Sequence, residues 1–336
     1  MKRFFSLSGV FLALVILGVL PFIVFGALVG WTGMQKVAVY GFFVCLYATV
    51  LNGRRLGMAM AVGFAIFAVI GTQVHASPLG GAMVVGMSAV LIVCLATRGY
   101  AQAMLFAAMF IPYPIATPPQ PWAGASMTSL TYLAAVLGAT FIAGLWGLVL
   151  GGLIHDKLPA AAPVPGASRQ DALIAGVLLV PVAAAITYLA MSAFPQAKWV
   201  WLLATIYSLI KPSPDLNWVM TRDMVVGTVV GVGASIGILS IGMPTGVMML
   251  VGSFVMCGAL GLRMMGKPYW VYAGVVTAAA VLMTGAGMDP LEALEDRLVF
   301  TLAGALGAVT LGAGITWLIH LAHIHRDVRT EATASA

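Results

Sequence analysis

SPLGGAMVVGMSAVLIVCLA, Ser77–Ala96, runs for twenty residues without a charged side chain. About 20 apolar residues are what a helix needs to cross the hydrocarbon core of a bilayer. The stretch has a partner further along the chain: SPLGGAMVVGMSAVLI (Ser77–Ile92) matches MPTGVMMLVGSFVMCG (Met243–Gly258). The surrounding sequence has the same character. Of 336 residues, 62% are hydrophobic and 8% charged, and the mean hydropathy is +1.06. Soluble domains carry about 25% charged residues, so this chain cannot coat a globular surface with polar groups. A soluble enzyme, a nucleic-acid binder and a disordered scaffold are excluded. Cys45, Cys94 and Cys257 each lie in an apolar run with no CxxC pair, and they signal neither a disulfide nor a metal site.

The same ruler predicts an all-α polytopic membrane protein with about twelve transmembrane helices. They fall at 7–30, 36–52, 55–74, 79–96, 99–117, 129–154, 170–193, 198–211, 222–242, 244–262, 268–287 and 291–321. The second and eighth are short. The last is long enough to tilt or protrude. The first follows Lys2 and Arg3 like a signal peptide, but its apolar stretch is too long for one and ends at Gly30-Trp31 without a cleavage site, so it reads as a retained span. With the N-terminus in the cytoplasm, the inner segments hold Lys2, Arg3, Arg54, Arg55, Arg98, Lys157, Arg169, Lys211, Arg222, Arg263, Lys267, Arg326 and Arg329. The outer segments hold only Lys36, Lys198 and Arg297. That bias places both termini in the cytoplasm and accounts for the net charge of +6.

The halves repeat. Pro21 pairs with Pro181, Tyr47 in LYATVLNG with Tyr207 in IYSLIKPS, and His155 in LGGLIHDK with His320 in ITWLIHLA. Six spans per half is an even number, so both halves enter the membrane in the same direction. A pseudo-two-fold axis along the membrane normal is expected. The predicted organisation is a first six-helix repeat at 1–157, a cytoplasmic linker at 158–169, a second repeat at 170–322 and a cytoplasmic tail at 323–336. The linker is rich in Ala and Pro. Paired six-helix halves are commonest in secondary transporters, with the substrate site at their interface.

The stretch WVWLLATIYSLIKPSPDLNWVMTRDMVVGTVVGVGASIGIL, Trp199–Leu239, carries a more specific pattern. An apolar span ends in Lys211-Pro212-Ser213, and a loop leads to Arg222 and a helix with Gly227, Thr228 and Gly231. The last span opens with Arg297 and continues through Thr301, Leu302, Gly304, Ala305 and Leu306. Together these resemble the fusaric-acid-resistance-like membrane proteins, the aromatic acid exporter group, in a compact form. The first half matches weakly: Arg54 and Arg55 take the basic position without a preceding Pro-Ser. Larger family members have a cytoplasmic domain after each half. Here a linker and a short polar stretch stand in those places, so no role of those domains carries over. The resemblance implies efflux of small aromatic or other weak organic acids across the bacterial inner membrane, together with a periplasmic adaptor of the membrane-fusion type. A homo-oligomer is open.

Candidate chemistry gathers at two mouths. On the cytoplasmic side Lys211, Asp215, Arg222 and Asp223 surround a Pro-x-Pro turn, with Arg54 and Arg55 at the equivalent point of the first half. Fixed cations concentrate an organic anion, and Arg holds a carboxylate with two hydrogen bonds. Tyr207 and Trp218 can stack on its ring, or else belong to an interfacial aromatic belt. Outside, Asp289-Pro290 starts a helix in which Glu292 completes a capping box, followed by Glu295, Asp296 and Arg297. Glu292 and Asp296 share a face, an arrangement suited to proton coupling. His75 is a further external proton-coupling candidate. No Asp, Glu, Lys or Arg falls mid-span, which weighs against an intramembrane relay. Gly227, Gly231, Gly233, Gly304, Gly307 and Gly312 are expected to let helices approach closely.

His320, His323 and His325 form HxxHxH without an accompanying ligand set, so no metal is expected, and no cofactor or covalent chemistry either. The twenty methionines spread through all spans as packing residues. The proline-rich loop Ile111–Ser126 is expected to be stiff and external. The competing class is a non-transporting membrane scaffold in an envelope complex.

Overall fold

In the computed structural model, residues 13–31, 33–100, 107–122, 125–156, 168–193, 199–209, 218–264, 267–284 and 290–334 are described. The secondary structure among them is helical. A π-helical stretch, Val15–Val19, leads into α1 (Leu20–Val29). The remaining helices are α2 (Met34–Asn52), α3 (Arg54–Val74), α4 (Pro78–Ala96), α5 (Pro112–Ala116), α6 (Leu130–His155), α7 (Arg169–Ala193), α8 (Val200–Leu209), α9 (Trp218–Leu239), α10 (Thr245–Met264), α11 (Tyr269–Thr284) and α12 (Pro290–Ala334). Every span expected from the sequence contains one of these helices. Seven are long and apolar enough to cross a membrane: α2, α3, α4, α6, α7, and the segments Thr221–Leu239 and Arg297–Ile324 of α9 and α12. Of the other helices, α1, α5, α8 and α11 are shorter, while α10 has 20 residues. In α5 the cause is local, because Pro112 and Pro114 each remove a backbone donor.

Local chemistry sets the boundaries. Ser77 and Ser129 cap α4 and α6 by accepting hydrogen bonds from the Gly80 and Tyr132 amides. Gly53 alone separates α2 from α3 at φ 87°, a conformation that only glycine adopts without strain. No proline follows Pro290 in α12, and the helix runs 45 residues, through the expected tail as far as Ala334. At 1.5 Å per residue that is about 68 Å, more than twice the hydrocarbon thickness.

Large apolar side chains cover the outside of the bundle, among them Leu28, Leu130, Ile142, Val177, Leu306 and Trp317. Apolar surface of that extent is stable against lipid and a liability in water. Inside, α2 is buried along nearly its whole length. It packs on α3 and α6. Similarly α8 packs on α12 and α9, α3 packs on α5 and α6, and α9 packs on α11 and α12. Further contacts join α4 to α7, and α10 to α1 and the π-helical stretch. In that stretch the Leu17 carbonyl accepts a 2.6 Å hydrogen bond from the Trp146 indole.

The glycines divide into packing and non-packing positions. A Cβ on Gly227 or Gly231 would run into α11 at Trp270, Ala273 and Gly274. One on Gly304 would sit 2.7 Å from Thr205 of α8. Gly307 has only ordinary contact with Ile206, and Gly233 has nothing within 4 Å, so it faces outward. At the proline-rich loop, the Tyr132 hydroxyl donates to Pro119 O at 2.6 Å and the Trp31 indole to Gln120 O at 3.0 Å. Trp122 meets Trp31 edge-on with centroids 5.0 Å apart. Aromatic anchors thus hold this loop against the bundle.

Candidate functional site

Arg297 is 1% exposed, the largest fully buried side chain among the described residues. The sequence suggests an external mouth for it, among acids. The fold carries it inward instead. It lies seven residues into α12 and meets Thr277, which lies seven residues from the end of α11, so each is about 10 Å from the end of its helix. Thr277 stands half-way along α11, and its hydroxyl faces that of Thr228, half-way along α9, at 3.4 Å. Arg297 is thus buried within the helix bundle, at the first residue of the apolar segment Arg297–Ile324.

The partners of the guanidinium are few. Nη2 lies 3.5 Å from Thr277 Oγ1, at the long limit for a hydrogen bond. The guanidinium carbon stands 3.9 Å from the centroid of the Trp201 ring, a cation–π contact. Nε and Nη1 have no hydrogen-bond partner. Among the described residues no ion pair includes Arg297. A charge buried without a counter-ion costs several kcal/mol.

Arg297 borders a cavity of about 20 Å³ between α2 and α5 on one side and α8, α10, α11 and α12 on the other. Tyr40, Phe110, Tyr113 and Trp201 supply aromatic walls. Tyr40 and Tyr113 have centroids 4.8 Å apart, and Tyr113 meets Trp201 edge-on at 5.9 Å. Met109, Met256 and Met283 complete much of the lining. The space holds about one water, whereas a benzene ring occupies a cavity of about 150 Å³. Methionines repack easily, so the walls that shut the space are also suited to opening it. Close by, Thr205, Ser253 and Thr301 bury hydroxyls that have no partner.

A second cavity has a volume of about 230 Å³. His75, Ala76, Pro78, Ile115, Ala116, Met191 and Trp199 line it. Ile115 and Trp199 are each two residues from a wall of the arginine cavity, Tyr113 and Trp201. His75 Nδ1 donates to Thr72 O at 2.7 Å, since a carbonyl only accepts, and Nε2 is left available.

The other sequence candidates sit apart from this centre. Arg222 is exposed and donates to Asp223 Oδ1 at 3.0 Å, so its charge is answered by its largely buried neighbour. Arg54 pairs with Asp156 where α3 meets α6, while Arg55 is exposed. Tyr207 is fully buried, with its hydroxyl 3.3 Å from both Ser88 Oγ and Val85 O of α4. It is a tie between helices and not part of an interfacial belt. Its sequence counterpart Tyr47 donates to the Tyr272 hydroxyl at 3.3 Å. Glu295 is exposed. Lys211 and Asp215 lie outside the described residues, as do the side chains of Trp218, Glu292, Asp296 and His325. His323 stands 3.3 Å from Asp171 of α7, and among the described residues no group of three or more His, Cys, Asp or Glu is placed to hold a metal.

Sequence reasoning missed Tyr40, Tyr113, Trp201 and Thr277. The only signal was composition: WVW at the start of a short span, and PYP interrupting another, put bulky aromatics where the spans are too short to be lipid-facing anchors alone.

No curated protein and no solved structure matches the chain. Residues 182–321 match a family model described as fusaric acid resistance protein-like, which spans α8 to α11 and the part of α12 that carries Arg297. The chain therefore contains a fusaric acid resistance protein-like domain over that part of its length.

Proposed function

We propose that the protein exports small aromatic or other weak organic acids across the bacterial inner membrane, along a path between two six-helix halves with both termini cytoplasmic. One observation carries the reading: a fully buried guanidinium with two unpartnered nitrogens stands in an aromatic cavity where α2 and α5 meet α8, α10, α11 and α12. A carboxylate supplies the missing hydrogen bonds, and its ring or alkyl body fits the aromatic and methionine walls. The twofold packing supports the two halves. The contacts α2–α6, α3–α6, α3–α5 and α4–α7 have counterparts in α8–α12, α9–α12, α9–α11 and α10–α1. A buried, uncompensated cation is costly, and a scaffold subunit has no use for it.

In this reading Lys211, Asp215, Arg222, Asp223, Arg54 and Arg55 form the cytoplasmic entrance. The cavity at His75 is the external exit, and the aromatic-pinned loop beside Trp122 is where a periplasmic adaptor docks. Cells lacking the protein should retain more labelled benzoate. Wild-type protein should reverse this and Arg297→Gln should not, although it reaches the membrane in equal amount. Unchanged accumulation across a panel of weak acids would sink the proposal.

A further inference from the structure

An exporter also needs an energy source, and the charges around the arginine cavity bear on it. This inference rests on the exporter reading above. The ionisable residues of the lining are Arg297, Tyr40 and Tyr113. Arginine does not release its proton in proteins, and phenols keep theirs at neutral pH. The neighbouring elements add no proton exchanger against the guanidinium among the described residues. On α10, Cys257 follows the wall residue Met256. On α11, Tyr269 and Tyr272 lie toward the far end from Arg297. On α2, Lys36 is one turn beyond Tyr40. On α8 the only titratable group is Tyr207, which is hydrogen-bonded to Ser88; on α12 Glu295 is exposed, and the side chains of Glu292 and Asp296 lie outside the described residues. His75 faces the separate outer cavity. A proton antiporter needs a group at the substrate site that is protonated when the substrate is absent and released when it binds. Among the described residues, the cavity offers the fixed charge of Arg297 in place of such a group.

We propose that the Arg297 cavity binds an aryl monoanion and carries it out as the anion, without proton exchange, so that the inside-negative membrane potential drives export. With the anion bound, the guanidinium is neutralised and the seam between the halves carries no net charge through the low-dielectric interior. Without it, the site bears one positive charge, which the potential draws back toward the cytoplasm. Each cycle then moves one net negative charge outward.

Benzenesulfonate is a suitable probe, because it stays ionised at every physiological pH and cannot leak across lipid as a neutral acid. The full-length protein is reconstituted in phosphatidylethanolamine–phosphatidylglycerol vesicles, and potassium gradients with valinomycin set the potential. The outside-to-inside ratio of labelled benzenesulfonate should rise about tenfold for each ~59 mV of inside-negative potential. A pH gradient at zero potential should leave it unchanged. Accumulation driven by the pH gradient and indifferent to potential would overturn the proposal. Exchange at equal concentrations and zero potential separates the two claims. It should proceed in the wild type and stop in Arg297→Gln. Exchange without a potential response refutes only the electrogenic cycle, whereas absence of exchange removes the exporter reading and this inference with it.

Discussion

Replacing Arg297 with methionine should make the protein more stable and useless for binding. The side chain is fully buried, and its contacts are one long hydrogen bond to Thr277 and the face of Trp201. A desolvated cation–π contact is worth about 2 kcal/mol. Burying an ion without a counter-ion costs several kcal/mol, and exchanging buried ionic groups for apolar ones of similar volume commonly stabilises by about 1–4 kcal/mol. Methionine keeps most of the volume and joins three other methionines in the wall. The net expectation for Arg297→Met is a gain of about 1–2 kcal/mol, as the relief of desolvation outweighs the lost ring contact. Thermal unfolding of detergent-solubilised protein, followed by fluorescence, reads this as an upward shift of the midpoint. An aryl acid at a hundred times its dissociation constant should stabilise the wild type by about 2.7 kcal/mol and the variant not at all. If Arg297→Met unfolds earlier than the wild type, or still responds to the acid, the arginine has a structural role and the reasoning fails.

Other perturbations test the surrounding frame. Gly231→Ala drives a methyl group into the Gly274 carbonyl and should cost about 1–3 kcal/mol, whereas Gly233→Ala meets nothing and should gain up to about 1 kcal/mol of helix propensity in the same melting assay. Tyr207→Phe removes a buried hydroxyl held by Ser88 and the Val85 carbonyl, and should cost about 0.5–1.5 kcal/mol by chemical denaturation while leaving aryl-acid binding intact. Arg54→Ala breaks an exposed pair with Asp156 and should cost less than about 1 kcal/mol, an effect that fades in high salt.

Much of this fold is legible in the sequence because lipid imposes one strong rule. An uncharged stretch such as Ser77–Ala96 has to be a helix, and α4 begins and ends within a residue of it. Register along the membrane normal is harder. The acids Glu292, Glu295 and Asp296 look like a water-facing mouth, and Arg297 follows them directly, so composition groups it with them. Its burial depends on which face of α12 meets α8, α9 and α11, and that is not a local property. Tyr40 and Trp201 lie 161 residues apart in sequence, and only the packing of α2, α5 and α8 brings their surroundings together. Charges expected at the cytoplasmic ends of spans, such as Arg222 near the start of α9, stood out for the opposite reason: the positive-inside rule puts cations there whatever they do, and this one is answered by Asp223.

The central assignment is a place, the cavity at Arg297, and a heavy atom can report it directly. A structure of the full-length protein with para-iodobenzoate, with the iodine located by anomalous scattering, should show the iodine among Tyr113, Trp201 and Met256 and the carboxylate on Arg297. Iodine found only near Arg222 at the start of α9, or only on the outer apolar surface of the bundle, would contradict it.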